Sequence, residues 1–225
     1  MKKYKTIVLF IFIISLFVFQ KVDGYVNDLP LLGKFIYIDP GHGGADPGAI
    51  YKDIYEKNIT LDIAKKLQFI LEQKGAIVYL TREADYDISA PRVLLRKRSD
   101  LTKRTNLINS SNCDIYLSIH LNASIHTSWK GAQVFYNNVN DENKVLAEYI
   151  QQAFKEDLNS RRSIKEINDL YMYKNVKVPG LLLEVGFISN PNERYLLLKD
   201  YYQQRIALSI TKGVINYFKQ NSNPL

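Results

Sequence analysis

The run Phe35-Ile36-Tyr37-Ile38-Asp39-Pro40-Gly41-His42-Gly43-Gly44-Ala45-Asp46-Pro47-Gly48 sets the frame for the whole chain. Its first four residues are apolar and read as a short strand buried on both faces. Asp-Pro-Gly then ends the ladder, because proline has no N–H to donate and glycine admits positive φ. The turn throws His42 outward. With so little side-chain bulk around it, this loop suits the close approach of a ligand or an ion, although a plain glycine-rich surface loop would look similar.

Working outward, apolar runs and helical stripes alternate. A helix is expected over 58–74, with Ile59, Ile63, Leu67, Ile70 and Leu71 on one side and Gly75 as its stop. A strand follows over 76–80, then a polar loop over 85–91. A basic helix comes next over 93–109, with Leu94, Leu101, Leu107 and Ile108 inward. Strands are expected over 115–120 and 131–136, then a helix over 142–158. Residues 159–177 are polar, with a short strand at Leu170-Tyr171-Met172; the last strong strand is Leu181-Leu182-Leu183-Glu184-Val185, and two helices close the chain. This alternation implies an α/β fold: a three-layer arrangement of one mostly parallel, twisted sheet with helices on both faces.

The amino terminus is basic and leads into an uncharged apolar run, Ile7 to Phe19, of 13 residues. That is shorter than the ~20 a spanning helix needs. Residues 1–24 therefore read as a signal peptide, or as an uncleaved membrane anchor, with 25–33 as a linker and 34–225 as the catalytic domain. The body of the chain is expected outside the cytoplasmic membrane, secreted or tethered. Nucleic acid is disfavoured as a partner. The single cysteine, Cys113, cannot form an intrachain disulfide, so a packed core must hold the fold. Loss of residues 1–24 would lower the formal charge from +7 to about +4, which suits an anionic envelope surface.

Ligands gather at the carboxyl ends of the strands in sheets of this kind. His42, His120 and Glu184 fall there, and Glu56 can join them from the helix that returns to the same edge. Two imidazoles and a carboxylate make a three-ligand zinc set that leaves one position open, and the remaining glutamate could act as base. Glu184 is the odd one out chemically. In an apolar strand an unpaired charge costs several kcal/mol and its pKa should rise. Pairing with Arg82 or Arg104 is the competing structural reading.

Four ordered blocks carry a resemblance: the Asp39–Ala49 run, Glu56-Lys57, Ser118-Ile119-His120-Leu121-Asn122-Ala123, and Leu183-Glu184-Val185-Gly186-Phe187-Ile188-Ser189-Asn190. Together they resemble the zinc-dependent N-acetylmuramoyl-L-alanine amidases, over about 34–218. The resemblance implies that His42, Glu56 and His120 hold Zn2+ and that Glu184 is catalytic. It also implies peptidoglycan as substrate, cut between the lactyl group of muramic acid and L-alanine. Pro179-Gly180 stands where these enzymes more often have Pro-Ala, and the link from Tyr136 to Glu142 is too short for the blocking helix of some bacterial members. The short architecture looks most like the sporulation and germination members, which prepare spore cortex for muramic-lactam formation. An exported partner protein, or a tether through the amino-terminal segment, would supply the targeting that wall-binding repeats supply elsewhere. Arg104 and Asn122 are weaker candidates for substrate contacts, and His126 is assigned no role. The rival functions are a zinc peptidase acting within stem peptides and a non-catalytic wall-binding module.

Overall fold

The computed structural model describes residues 9–12 and 29–222. Residues 9–12 are helical and exposed; the rest of the segment read as signal or anchor, and most of the linker, lie outside the described residues. Among the described residues, no helix is long and apolar enough to cross a membrane.

Six strands form the main sheet: β1 (Phe35–Pro40), β4 (Ile77–Leu80), β5 (Ile115–Asn122), β6 (Gln133–Tyr136), β7 (Lys165–Glu166) and β8 (Gly180–Phe187). Their order is β4-β1-β5-β8-β6-β7. The first four are parallel; β6 runs antiparallel to β8, and β7 runs parallel to β6. A two-stranded flap, β2 (Ile50–Tyr51) with β3 (Ile54–Tyr55), sits between β1 and the first long helix.

Side chains alternate across the strands, and that alternation divides the protein into two cores. Ile36, Ile38, Leu117, Ile119, Leu181 and Leu183 face the larger one. There they pack on α1 (Glu56–Gln73), α3 (Glu142–Leu158) and α6 (Asp200–Ser222) through residues such as Ile63, Leu67, Ile150, Phe154, Ile210 and Val214. Truncating any one of these fully buried aliphatics to alanine should cost about 2–5 kcal/mol. Tyr37, Tyr116, Phe135 and Leu182 face the other way, against α2 (Arg96–Ser110) and the short α4 (Tyr171–Asn175), which contribute Ile108, Met172 and Tyr173. The expected mostly parallel sheet with helices on both faces is what forms. A last short helix, α5 (Pro191–Leu197), is capped by the Asn190 side chain, which accepts from the backbone N–H groups of Asn192 and Glu193.

Three expectations need correction. Leu170-Tyr171-Met172 is not a strand: Leu170 is extended, but helix α4 starts at Tyr171 so that the adjacent Met172 and Tyr173 can both enter the smaller core, and the extra strand is Lys165–Glu166. Helix α2 starts at Arg96 rather than Val93. Its inner side is only partly the expected one: Ile108 is buried and Leu101 half-buried, but Leu94 is fully exposed and Leu107 is 40% exposed, and Asp100, Arg104 and Thr105 are buried in their place. Helix α2 packs on a polar cluster through Asp100 and Arg104, and reaches the smaller apolar core through Ile108 and in part Leu101. On α3 the sequence places Val145, Leu146, Tyr149, Ile150 and Ala153 inward; Leu146, Ile150 and Ala153 are, but Val145 is at the surface and Ala147 and Phe154 are inward, a shift of the stripe by part of a turn.

Candidate active site

The turn after β1 is held by two arginines that are each 1% exposed. Arg82 donates from Nε to the Pro40 carbonyl (3.0 Å) and from Nη2 to that of Gly41 (2.9 Å). Arg104 donates from Nη1 to the Pro40 carbonyl (2.8 Å) and from Nη2 to that of His42 (2.6 Å). His42 needs that grip, because its φ of +62° lies in the left-handed region, costly for a side chain bearing a Cβ. Arg104 is charge-balanced by Asp39 (2.7 Å) and Asp100 (2.7 Å). Burial alone would raise the pKa of Asp39, but Arg104 and the hydroxyls of Thr81 and Ser118 bring it down to about 2.

Sheet register assembles the next layer. His120 on β5 lies beside Glu184 on β8, and Glu184 lies beside Gln133 on β6, all on the face of the smaller core. Glu56, at the start of α1, reaches over to both histidines. His42 Nε2 is 3.2 Å from Glu56 Oε2, and His120 Nδ1 is 3.0 Å from Oε1. One ligand atom from each of the three residues can be chosen so that all lie within 4.8 Å of one another. Two ligands at ~2.1 Å from one tetrahedral zinc stand about 3.4 Å apart, so the two His–Glu separations suit a shared ion. The carboxylate is steered by the backbone N–H groups of Ala49 and Leu121, both at 2.8 Å.

His42 Nδ1 lies 3.0 Å from Asp46 Oδ2, a contact that fixes the ring and faces Nε2 toward Glu56. Burial would lower the His42 pKa, yet hydrogen bonds to Asp46 and Glu56 raise it to about 9. Glu56 is pulled below the usual carboxylate range by the two histidines, against the effect of its own burial. Such a pocket favours positive charge. Two glycines make room for it: a Cβ on Gly41 would stand 2.3 Å from His120 Cε1, and one on Gly48 would stand 2.6 Å from Glu56 Oε2.

Glu184 is the unsatisfied member. Neither Arg82 nor Arg104 reaches it, which removes the structural ion pair considered from sequence. Its Oε2 is buried without a hydrogen-bond partner. Burial raises its pKa to about 7; His120 and His42 oppose the rise and Glu56 adds to it. A cavity of about 220 Å3 opens over Glu184, His42 and His120, walled by Lys97, Leu101 and Tyr171.

Residues 36–216 match the N-acetylmuramoyl-L-alanine amidase family. The chain belongs to that family. The amidase is 44% identical, over 95% of its length and 94% of the relative's, to the germination-specific N-acetylmuramoyl-L-alanine amidase of Bacillus subtilis. Its fold is similar to the CwlD amidase of Clostridioides difficile, solved in complex with the GerS lipoprotein (36% identity, TM-score 0.80, 84% of this chain and 100% of that one). It is also similar to the catalytic domain of CwlV from Paenibacillus polymyxa (28% identity, TM-score 0.73, 83% and 98% covered).

In the amidase the four residues singled out from sequence meet in one place. The weaker candidates separate. Arg104 lies beneath the turn with its donors spent on Asp39, Asp100 and backbone carbonyls at the edge of the cavity, while Asn122 ends β5 beyond a register shift, where its carbonyl accepts from Ile188. His126 is exposed and packs on Trp129. Sequence reasoning missed Asp46 as the partner of His42, although their spacing of four residues was visible, and missed the Asp39–Arg104–Asp100 cluster. Its only local trace is Asp100 and Arg104 one helical turn apart on α2.

Proposed function

We propose that this amidase is a zinc hydrolase that cleaves the amide between N-acetylmuramic acid and L-alanine in peptidoglycan, with His42, Glu56 and His120 holding the metal and Glu184 as the catalytic acid–base. The observation that carries the reading is the buried, unpartnered Glu184 Oε2 beside the His–Glu–His cluster. A closed structural metal site would have no use for a spare carboxylate next to it. Zinc, when bound, would supply a water activated at neutral pH and polarisation of the scissile carbonyl.

The chain's own residues supply the rest. Glu184 takes a proton from the attacking water and returns it to the departing alanine nitrogen, which needs acid help because an amine anion leaves poorly. A pKa near 7 suits both halves of that task, and a cation among the neighbouring ligands would draw it lower. Asp46 fixes the His42 ring, and Ala49 and Leu121 fix the plane of the Glu56 carboxylate. The cavity walls at Leu101 and Tyr171 limit water.

The finer assignment is spore cortex peptidoglycan, processed outside the membrane in preparation for muramic-lactam formation. Similarity to the germination-specific enzyme supports it, as does the signal-like amino terminus. An exported partner protein is part of the same proposal; the similar amidase solved with a lipoprotein supports it. The test is digestion of purified peptidoglycan by the zinc-loaded protein, with products identified by mass spectrometry. New amino-terminal alanine and peptide-free muramic acid are expected, and a chelator or His120→Ala should abolish both. Cleavage inside the stem peptide would make the protein a zinc peptidase instead; unchanged zinc content in His120→Ala would remove that residue from the site.

A further inference from the structure

Beyond Glu184 the same sheet face continues into a basic groove. Gln133 is the cross-strand partner of Glu184, and directly opposed residues have Cβ atoms about 5 Å apart. The Gln133 Nε2 group donates to the Ser163 carbonyl, and its Oε1 receives Arg162 Nη1 at 3.5 Å. Arg162 is fixed further by donation from Nε to the Lys130 carbonyl (2.9 Å). Its guanidinium lies 4.7 Å from the ring centre of Phe187 and 5.7 Å from that of the half-exposed Trp129. Arg162 is therefore pre-oriented, with its Nη2 edge free among the described residues.

Lys130, Arg161 and Lys165 line the same open groove, of about 630 Å3. Among the described residues, none of these four cations stands in an ion pair. The nearby Glu193 does not neutralise them at contact, since both its oxygens accept backbone N–H groups, from Gly131 and Phe187. Charge then decides which half of the substrate lies here. In uncut peptidoglycan the lactyl carboxyl is tied up as an amide and the sugars are N-acetylated, so the glycan is neutral. The stem peptide carries carboxylates from its second residue onward.

We infer that the groove built by Arg162, Trp129 and Gln133 is the subsite for the acidic stem peptide, with Arg162 receiving the carboxylate of the residue that follows L-alanine. This inference rests on the amidase reading and adds to it a direction of binding: peptide over β6 and β7, glycan toward the opposite wall at Lys97 and Tyr171. A planar guanidinium held beside two aromatic rings matches a carboxylate in a way that a mobile lysine does not.

The experiment compares two muropeptides that differ only in that second residue, one with a free carboxylate and one with a carboxamide. A charge-assisted hydrogen bond predicts about a tenfold higher kcat/KM for the acid. Arg162→Gln should remove most of the difference, chiefly through KM, and Arg162→Lys should restore part of it; added salt should narrow the gap in the parent protein. Calorimetry of the free acidic peptide against the folded, zinc-loaded parent and Arg162→Gln gives a readout independent of turnover. Equal efficiency on the two muropeptides, or equal peptide binding by the parent and a folded Arg162→Gln protein, would overturn the subsite while leaving the amidase reading intact. Cleavage at another bond would overturn the amidase reading, and calorimetry would still decide whether the groove binds the peptide. Lys165→Gln, a change at an exposed strand residue, repeats the charge test should Arg162→Gln fail to fold.

Discussion

Two polar clusters lie on the same face of the sheet, one at β1 and one at β8 with β5 between them, and they are built on opposite principles. Around Asp39 each charge has its answer: Arg104, Thr81 and Ser118 close on the carboxylate, and Asp100 takes the other side of Arg104. Around Glu184 one oxygen has no partner. The Asp39 carboxylate is sealed, whereas the Glu184 side chain is partly exposed but has its Oε2 atom inaccessible, so the sharper difference between the two is satisfaction. The first cluster shapes the turn that carries His42. The second keeps a carboxylate in reserve.

The largest effect expected from this contrast is on turnover. Glu184→Gln should lower it about 10²–10⁴-fold, the usual range for general acid–base catalysis. Because the parent carboxylate is unpaired, the variant should unfold in urea at the same concentration or a higher one, and should keep its zinc. Near-parental activity in that folded, loaded protein would end the catalytic assignment. Arg104→Met should do the reverse. Breaking a buried pair leaves Asp39 and Asp100 uncompensated and costs about 3–5 kcal/mol, so the urea midpoint should collapse. A loss below about 1 kcal/mol, typical of an exposed ion pair, would show that the cluster is no scaffold.

Smaller effects sharpen the boundary between the clusters. Asp46→Ala should weaken zinc affinity by about 10–100-fold without unfolding the protein, since Asp46 orients a ligand rather than supporting the core. Competition with a chelator of known affinity measures it, and an unchanged constant would detach Asp46 from the site. Acid sets the smallest effect. Asp39 titrates at about 2 in the folded protein and at the ordinary value of 3.8 when unfolded, so its contribution is whole above about pH 4 and is lost as pH falls toward 2. That window is worth about 2 kcal/mol. Urea unfolding at a series of pH values should show Asp39→Asn losing less stability across it than the parent does; equal slopes would mean that other carboxylates govern acid unfolding.

What could be read from sequence follows the same line. Strands with strong apolar runs, such as Leu181–Val185, were legible because burial on both faces leaves a continuous local signal, and the α3 bounds fell at Glu142–Leu158 as periodicity placed them. Glu184 was legible because it breaks such a run. The scaffold was not. Arg104 meets Asp39 across 65 positions, and no local period encodes a contact of that reach. Helix α2 was accordingly assigned an inner side that included Leu94, when Asp100 and Arg104 share that side with Ile108. Arg162 was invisible for a related reason: its surroundings come from β6, β8 and the Trp129 loop, which adjoin only in the folded sheet.

The grip of Arg104 on the His42 carbonyl also sets an order of events during biosynthesis. A chain made from its amino terminus completes the glycine turn when the residue that will hold it is still 62 positions away. Until then the His42 carbonyl lacks that donor, and Arg82 reaches the turn just short of it, at Pro40 and Gly41, so the nascent turn is less firmly held. His120 emerges later and inserts with β5 beside β1; Glu184 comes last, on the strand that docks against β5. The cluster is thus incomplete through most of the chain's own synthesis, and Glu184 arrives only when the sheet around it is almost complete.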